Sequence, residues 1–463
     1  MTAAKKKQLI GLFAGTLTAV VVWRLPLAMP WEGQKCLALS LMTVVFWAWK
    51  AMDTGMISLT LLVSYVLFLD AEIVPPAAVF RLWTSPAMYL VIGGFLIAEA
   101  VKSSGLGERM AFYFIKKFVR SYDSVIICCY LLGFILSFVI PHPWPRSFLL
   151  ISIMSHVIAA ANLEPEYAAN IGLAVFAGSI PTAMILITGD STLNPVVASM
   201  AGVSISWLQW FLYLGIPGIL ASLLTCILQL KLFGKPKDFS LTDKTVDKHI
   251  AKMGGIGKKE MITIVVMLLA VVLWMTESVH GVHPGWIAIG TAIIFNLPFV
   301  RVLEGKFWSA INMGTLFFLC AALSIGSVGN ITGMNAWIAD SLLPSQILVN
   351  PYLFSLIACI ICMVIHMILG STLAVLGIAT PAIISFGALA GVSPLVASMT
   401  AYTAVTLHWL LPFHHMSILV GLGENGGNYT EKEVLELGIP QTFVVIMICL
   451  FEILWWSWIG LIK

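Results

Sequence analysis

The chain has 463 residues, of which 60% are hydrophobic and only 10% are charged. A soluble domain carries roughly 25% charged residues, so this composition indicates an integral membrane protein with little mass outside the bilayer. The net charge of +3 is too small to indicate nucleic acid as a partner. The eight cysteines lie in or beside apolar stretches, and we interpret even the CxxC pair Cys359 and Cys362 as buried apolar side chains.

Apolar segments long enough to cross a bilayer recur along the chain. They predict eleven transmembrane spans, at residues 8–30, 35–52, 55–70, 86–104, 164–188, 207–232, 260–277, 284–300, 314–330, 394–412 and 436–462. No small-residue cleavage site follows the first segment, so we interpret it as a retained span and not as a signal peptide. The sequence therefore predicts an all-α polytopic membrane protein.

Two further apolar regions, 123–160 and 349–390, are each interrupted at the centre. The first interruption, 137–147, carries three prolines, and the second, 366–372, introduces His366, Ser371 and Thr372 into an apolar run. Unpaired backbone at membrane depth is tolerated only where it is buried in protein or lines a cavity. We therefore predict two re-entrant helical hairpins, and paired breaks of this kind point to the binding site of a transporter.

Lysine and arginine residues predict which loops lie in the cytoplasm. They cluster at residues 5–7, 102–120, 231–259 and 301–306. With the N-terminus inside, all four clusters fall on the cytoplasmic side, provided that each hairpin enters and leaves on one side. We expect a multi-pass protein of the cell (inner) membrane with its C-terminus outside, and an amphipathic helix, 105–120, along the cytoplasmic surface.

The two halves of the chain share two motifs. Residues 104–111 match 332–339 at a shift of 228, and residues 214–217 match 437–440 at a shift of 223. Two matches in the same order, at nearly equal shifts, indicate a duplication. Because the charge pattern places the first motif inside and its copy outside, we predict that the repeats are inverted.

The duplication predicts three segments. Residues 1–232 form the first repeat with a cytoplasmic-side hairpin, 233–259 form a basic cytoplasmic linker, and 260–463 form the second repeat with an outer-side hairpin. The two hairpin tips should then meet near the middle of the membrane, beside two further breaks. These four pieces are tips 140–147 and 368–373 and breaks 188–195 and 412–418.

The motif at 104–111 and the downstream block formed by 421–423 and 433–440 carry a family resemblance. Over nearly its whole length the chain resembles the divalent anion/sodium symporter family of the ion transporter superfamily. The resemblance implies transport of di- or tricarboxylates, or of sulfate in some members, coupled to Na⁺ or by exchange. It also implies a homodimer in which a transport domain moves, in the manner of an elevator, against a scaffold domain.

The signature motifs of that family are altered here. The family places Ser-Asn-Thr at each hairpin tip, where this chain has His-Pro-Trp at 142–144 and Gly-Ser-Thr at 370–372. The family's broken helices carry a Thr-Pro-Pro-Asn-like turn, which corresponds to Ser-Thr-Leu-Asn at 191–194 and His-His-Met-Ser at 414–417. We therefore expect the sodium dependence to be weakened or lost.

These positions together predict a substrate site and a site for a coupling ion. The predicted substrate-binding residues are His142, Trp144, Arg146, Ser147, Asn194, Gly370, Ser371, Thr372, His414, His415 and Ser417. The candidate ligands of a coupling ion are Asp190, Ser371, Thr372 and Ser417. We expect no organic cofactor, and no metal beyond one weak Na⁺ site; H⁺ is the alternative coupling ion.

Arg146 is the residue that most strongly suggests an anion. A guanidinium near the bilayer centre is costly unless it is paired, and its fork fits carboxylate, sulfate or phosphate. In one interpretation Arg146 replaces the positive charge that Na⁺ lends to the anion in the family. In the other, Arg146 only pairs with Asp190 and holds the hairpin. Asp190 is then either that partner or a cation or proton site.

The histidines also have two interpretations each. Prolines at 141, 143 and 145 surround His142, so we expect a stiff, extended tip that is not a helix cap. His142 then contacts the anion or titrates, or it packs with Trp144 against the neighbouring hairpin. One of His414 and His415 is expected to face the site, whereas His366 and His408 are expected to be packed core histidines. The four lack the ligand types and spacing of a zinc site.

The leading functional prediction is secondary transport of a small anion, most simply a di- or tricarboxylate. One alternative is a degenerate transporter fold that acts as a membrane sensor or subunit, and another is a permease for sulfate or sulfonates. An intramembrane enzyme is disfavoured, because Ser147 near His142 is the only nucleophile–base candidate and the prolines oppose a triad geometry. The expected partners are the anion, the lipid bilayer and a second copy of the chain.

Overall fold

The computed structural model describes residues 3–239, 243–342, 350–369, 372–423 and 426–462, and the regular structure in these ranges is helical. The first group of helices comprises α1 (Ala3–Arg24), α2 (Trp31–Trp49), α3 (Thr54–Phe68), α4 (Pro76–Val79) and α5 (Pro86–Ser104). Side chains that accept a backbone N–H start two of them: Asp53 precedes α3 and Ser85 precedes α5.

The second group contains the first predicted hairpin. It comprises α6 (Leu106–Phe118), α7 (Tyr122–Ser137), α8 (Pro143–Ala160), α9 (Pro165–Met184), α10 (Asn194–Met200), α11 (Trp207–Trp210) and α12 (Ile216–Leu232). Helices α7 and α8 are the arms of the hairpin. Turns at 185–193 separate α9 from α10, so the predicted span 164–188 is the first part of a broken helix.

The third group begins with the predicted linker. It comprises α13 (Asp243–Met253), α14 (Lys258–Met275), α15 (Glu277–His280), α16 (Pro284–Asn296) and α17 (Met313–Ile331). The fourth comprises α18 (Met334–Leu342), α19 (Pro351–Leu369), α20 (Thr372–Leu389), α21 (Pro394–Thr406), α22 (Met416–Val420) and α23 (Glu431–Trp458). Here α19 and α20 are the arms of the second predicted hairpin, and α21 and α22 belong to the second broken helix.

Corresponding glycines end the helices before the two hairpins. Gly105 follows α5 with φ +79°, and Gly333 follows α17 with φ +76°. Glycine adopts this left-handed conformation without the penalty that a Cβ atom brings. A short helix, two hairpin arms and a broken helix follow each glycine in the same order. The inversion of the two halves across a membrane stays a prediction.

Several helices suit a bilayer by length and composition. In the described part of the chain these are α5, α9, the continuous stretch Trp207–Leu232, α17 and α23. The predicted all-α membrane fold is confirmed, and the helices coincide closely with the predicted spans, as at 86–104. The count of eleven spans and the re-entrant course of the hairpins stay predictions.

The helices pack in two groups with separate apolar clusters. In one group α1 packs on α2, and α3 packs on α17. Helix α5 contributes side chains to both clusters and packs on α16, whose buried residues belong to the other cluster. In the other, α7 and α8 pack on α9, α19 and α20 pack on α21, and α12 packs on α23. Helices α10 and α20 contact α17 across the boundary. The hairpins and the broken helices therefore belong to the same packed group.

An arginine clamp joins α6 to the linker and α14. Arg109 donates from Nε and Nη2 to the two carboxylate oxygens of Glu260, at 2.7 and 3.0 Å. It also donates to the carbonyl groups of Met253, Gly254 and Gly255. The hydrogen bonds to Glu260 raise the pKa of Arg109 above its usual value, so this clamp stays charged at any physiological pH.

Candidate functional site

Arg146 lies in the first turn of α8 and is fully buried. Its Nη1 donates to the carbonyl oxygens of Ile140, at 3.0 Å, and Gly189, at 2.9 Å. Its Nε and Nη2 have no hydrogen-bond partner among the described residues. Over the same residues, no ion pair within 4 Å involves Arg146. A buried guanidinium thus retains two N–H groups that the described protein does not satisfy.

Asp190 does not form the ion pair with Arg146 that one interpretation of the sequence required. Its Oδ1 accepts instead from the backbone N–H of Thr192, at 2.9 Å, and of Leu193, at 3.1 Å. A carboxylate in this position closes a turn by replacing a backbone acceptor. The side chain therefore shapes the break between α9 and α10, and its role towards a coupling ion stays a prediction.

Asn194 begins α10 and is fully buried. Its Nδ2 donates to the carbonyl oxygens of Ala183, at 2.9 Å, and Leu186, at 2.8 Å. Its Oδ1 accepts from the hydroxyl group of Tyr402 at 2.6 Å. Both amide hydrogens and the amide oxygen are thus engaged with protein, which makes Asn194 a brace for the broken helix.

The first hairpin tip is a helix N-terminus, so the expectation of an extended tip without a cap was wrong. His142 is the N-cap of α8, and its Nδ1 accepts from the backbone N–H of Trp144 at 3.2 Å. Pro143 and Pro145 occupy the first helical turn, where a missing N–H costs no intrahelical bond. Ser147 follows within the same turn, and its buried Oγ has no described partner.

Aromatic packing and one backbone bond fix that tip. The ring of His142 lies 4.8 Å from that of Phe95 and 5.2 Å from that of the half-buried Trp144. The carbonyl group of Pro141 accepts from the backbone N–H of Ser191 at 3.0 Å. The predicted neighbours 140–147 and 188–195 are therefore in direct contact.

The second hairpin meets the second broken helix in a similar way. Thr372 begins α20, and its Oγ1 donates to the carbonyl oxygen of His414 at 3.2 Å. The ring Nε2 of His366, near the end of α19, lies 2.8 Å from the same carbonyl oxygen. Two further predicted residues of this tip, Gly370 and Ser371, lie outside the described residues.

Ring nitrogens of two adjacent histidines organise the second break. His414 Nδ1 accepts from the backbone N–H groups of Leu410, at 3.0 Å, and Leu411, at 3.1 Å. His415 is the N-cap of α22, and its Nδ1 accepts from the N–H of Ser417 at 3.2 Å. His415 Nε2 and Ser417 Oγ are buried and have no partner in the described ranges. Both predicted residues therefore keep polar capacity for a ligand.

The broken helices of the two halves touch each other. Besides the bond from Tyr402 to Asn194, Ser398 Oγ on α21 donates to the carbonyl oxygen of Val197 on α10 at 2.8 Å. Each hairpin tip contacts the break of its own half, and the hydrogen bonds between the two broken helices join α10 to α21. Direct approach of the two tips stays a prediction.

A cavity of about 490 Å³ opens between the two groups of helices. It is bounded by Ile187 and Pro195 at the first break and by Ser324 and Asn330 on α17. Arg81 and His283 lie at its loops, which the predicted topology places outside. The cavity therefore reaches the break beside Asn194 without including Arg146 in its wall.

A family model described as the sodium:sulfate symporter transmembrane region matches residues 6–462. The chain belongs to this family. The divalent anion/sodium symporter resemblance predicted from the motifs is thereby confirmed, and because the members are transporters, the enzyme alternative falls away.

Curated relatives span most of the chain at low identity. The chloroplastic dicarboxylate transporter 2.1 of Arabidopsis thaliana is 24% identical over 92% of this chain and 76% of its own length. The sodium-dependent dicarboxylate transporter SdcS of Staphylococcus saprophyticus is 22% identical, over 88% and 83%. The putative malate transporter YflS of Bacillus subtilis is 22% identical, over 72% of each chain.

A solved structure shares the fold. The YdaH transporter of Alcanivorax borkumensis aligns with a TM-score of 0.57 at 14% sequence identity, covering 90% of this chain and 98% of that one. The chain therefore shares the fold of YdaH, and an identity this low supports a conclusion about the fold alone.

Three buried residues of this symporter-family chain escaped the sequence analysis as site candidates. His366 had been interpreted as a packed core histidine, although it bonds the second break. Tyr402 offers no signal in an apolar run, since its partner Asn194 is 208 residues away. Glu452 is 1% exposed, and its Oε1 accepts from Thr403 Oγ1 at 2.7 Å. An acidic residue within an apolar span was the signal that could have revealed Glu452.

Proposed function

We propose that this protein is a secondary active transporter that carries small anions, and di- or tricarboxylates in particular, across the cell membrane. Support for the anion comes from the family, and support for dicarboxylates comes from relatives described as dicarboxylate and malate transporters. The chemistry of the site favours the same class, because a guanidinium fork binds a carboxylate or a sulfate with two parallel hydrogen bonds.

The observation that carries the proposal is the state of Arg146. A buried charge without an ion-pair partner is strongly unfavourable. Asp190 acts on the Arg146 guanidinium only from beyond ion-pair distance, and two of the guanidinium N–H groups have no described hydrogen-bond partner. An anion bound beside the tip satisfies both the charge and these donors. The hydrogen bonds to Ile140 and Gly189 hold the guanidinium in place, so it is organised before the anion arrives.

Other groups at the tips and breaks complete this proposed site. The N-terminus of α8 adds partial positive charge that favours an anion. His142, Trp144 and Ser147 surround Arg146 on the first tip. On the second side we propose contacts from Thr372, His414, His415 and Ser417, with Gly370 and Ser371 of the same motif. Asn194 then orients the break through its three hydrogen bonds.

The same geometry supports a weakened dependence on sodium. Na⁺ sites need several oxygen ligands, and backbone carbonyl groups of a broken helix are a usual source. Here the carbonyl groups of Ile140 and Gly189 accept from Arg146 Nη1. We infer that this fixed positive charge takes the place of a sodium ion in the first half. Thr372, Ser371 and Ser417 remain as ligands for one weak site in the second half, and Asp190 remains a coupling-ion candidate.

The packing of the helices supports elevator-type movement. Both hairpins and both broken helices pack in one group, and a cavity separates part of that group from the helices around α17. We propose that this group moves as the transport domain against a scaffold that forms a homodimer. The N-terminus lies in the cytoplasm and the C-terminus outside in this arrangement.

Uptake by liposomes that contain the purified protein tests the function. We expect saturable uptake of labelled malate, reduced by unlabelled succinate or citrate. Sulfate is included because the family model is described by it. Thermal stabilisation by each anion, with Na⁺ or K⁺ as the cation, gives a parallel readout of binding. Absence of uptake and stabilisation for all four anions would contradict transport and favour a sensor or subunit.

A further inference from the structure

Four buried histidines gather where the second hairpin meets the second broken helix. The ring of His366 lies 5.9 Å from that of His408 and 5.6 Å from that of His414, and His415 follows in the chain. Among the described residues, no group of three or more His, Cys, Asp or Glu side chains is arranged to hold a metal ion. The cluster therefore calls for another explanation than a metal site.

The hydrogen bonds of His366 determine which ring nitrogen carries hydrogen. Nε2 lies 2.8 Å from the carbonyl oxygen of His414, and a carbonyl group can only accept, so Nε2 must donate. In the neutral ring, Nδ1 then carries a lone pair and no hydrogen. This Nδ1 is buried and has no hydrogen-bond partner among the described residues. His366 can therefore accept a proton at Nδ1 without losing its bond to His414.

A second histidine offers the complementary group. His415 Nδ1 accepts from the backbone N–H of Ser417, so the hydrogen of a neutral ring is on Nε2. That N–H is also buried without a described partner. The second break thus offers, in addition to the proton acceptor of His366, a buried N–H group without a described partner that can donate to an anion.

We propose that His366 binds one proton together with the transported anion, so that transport is coupled to H⁺. The proton comes from water on the side where the anion binds and adds to the Nδ1 lone pair, giving an imidazolium. A buried imidazolium needs a counter-charge, which the anion supplies. By linkage, protonation must strengthen anion binding by the factor by which the anion strengthens protonation. This inference rests on the proposed anion transport.

Among the described residues, no acidic side chain forms an ion pair with His366. The second break contributes His408, His414 and His415, and α20, α21 and α22 contain no Asp, Glu, Lys or Arg. On α23, Cys449 contacts Cys359, and Glu452 lies one turn further on. Cys359 is seven residues before His366, about 10 Å along the helix. His408 and Glu452 are accordingly the rival proton acceptors.

Proton uptake during binding tests the proposal on the full chain in detergent. Malate is titrated calorimetrically in two buffers of different ionisation enthalpy, at neutral and mildly alkaline pH, where both its carboxyl groups are ionised. We expect the wild type to take up about one proton per malate, and its apparent Kd to fall about tenfold per unit decrease in pH.

His366→Gln is the decisive variant. A glutamine side chain can place an N–H where His366 Nε2 lies and keep the bond to the carbonyl group of His414, but it cannot be protonated. We expect it to bind malate without proton uptake and with a Kd independent of pH. In liposomes it should exchange malate for malate but fail to accumulate malate under an inwardly directed proton gradient. His408→Gln and Glu452→Gln should each retain the uptake of one proton.

Each other outcome overturns the proposal that His366 is the coupled proton acceptor. Malate binding by the wild type without proton uptake does so even if His366→Gln fails to fold. Uptake of one proton per malate by His366→Gln also overturns it. The same holds if His408→Gln or Glu452→Gln binds malate without proton uptake while His366→Gln still takes up a proton. If malate, succinate, citrate and sulfate all fail to bind the wild type, the proposed function itself is wrong, which is a different result.

Discussion

At the scale of single residues, two buried polar side chains, one at the first tip and one at the first break, have different roles. Asn194 donates both amide hydrogens to carbonyl groups of Ala183 and Leu186, and its amide oxygen accepts from Tyr402. Arg146 uses only Nη1 on protein and keeps Nε and Nη2 without a described partner. A satisfied amide stabilises a conformation, whereas an unsatisfied buried charge needs a ligand. We therefore assign the anion contact to Arg146 and a positioning role to Asn194.

Substitution of Arg146 tests that assignment. Arg146→Lys keeps the charge but loses the fork, so we expect the apparent affinity for malate to fall roughly 10- to 100-fold, the value of one charged hydrogen bond. Arg146→Ala should abolish binding and uptake. Arg120→Lys is the matched control, because Arg120 is exposed and its guanidinium donates, among the described residues, to the nearby carbonyl groups of Lys116 and Val119.

Binding is measured by thermal stabilisation and uptake in liposomes. Normal uptake by Arg146→Ala, at an unchanged apparent affinity, would make Arg146 structural and move the anion site elsewhere.

At the scale of secondary-structure elements, short helices outside the hairpins contact the first hairpin and the linker. Helix α6 packs on α7, α8 and α13, and its Arg109 holds the chain just before α14 through Glu260 and three carbonyl groups. Helix α13 also contacts α8, where the rings of His156 and His249 lie 4.3 Å apart. The linker therefore packs against the first hairpin and does more than connect the two halves of the chain.

A double-mutant cycle with Arg109→Ala and Glu260→Ala measures the strength of this clamp. We expect a coupling energy of about 0.5 to 3 kcal/mol, because the two side chains are in direct contact and largely buried. The exposed pair of Lys259 and Glu304, at 2.8 Å, is the control and should show a much smaller coupling. Thermal unfolding in detergent gives the four stabilities. Equal coupling in both cycles would show that burial adds nothing to the clamp.

At the scale of the whole molecule, the cavity between the two groups of helices predicts, together with the predicted orientation, the side from which an anion reaches the first break. Its wall includes Arg81 and His283, which the predicted topology places outside, and it ends at the first break near Ile187 and Pro195. An anion that enters from outside would reach this break first. The direction of the opening follows from the orientation of the chain, which is itself open to test.

Cysteine labelling tests the orientation. Val282→Cys, in the loop after α15, should react with a membrane-impermeant maleimide in intact cells. Lys306→Cys, in the loop after α16, should react only after permeabilisation. Both positions are exposed, and the eight native cysteines are buried, so the unmodified protein supplies the background. The reverse pattern would place the N-terminus outside and turn the cavity towards the cytoplasm.

The dependence on sodium is also a property of the whole molecule. Arg146 Nη1 occupies the carbonyl groups of Ile140 at the first tip and Gly189 at the first break, so we expect at most one Na⁺ site. Initial uptake should then show a Hill coefficient for Na⁺ no higher than about 1. Uptake should instead rise as the pH falls, if a proton accompanies the anion. Steep sigmoidal dependence on Na⁺ without any response to pH would show that two sodium sites persist.

Much of the fold was predictable from local sequence. The spans 86–104 and 207–232 reappear with the same bounds, because the length and apolarity of a segment decide whether it can be a membrane helix. The interruption at 137–147 and the break at 188–195 were also visible in the sequence, since prolines and polar residues interrupt an apolar run locally. The expected extended tip was wrong, because a proline in the first turn of a helix reads like one that prevents a helix.

The sequence by itself determined the class of the protein, its family and the tips and breaks that carry the candidate site residues. Only the tertiary structure decided which atoms meet there: Arg146 on Gly189 and not on Asp190, Tyr402 on Asn194, and His366 on the carbonyl group of His414. The reason is physical. Hydrophobicity and helix-breaking act between near neighbours in the chain, whereas these hydrogen bonds join residues 43, 208 and 48 positions apart, and their partners are set by packing.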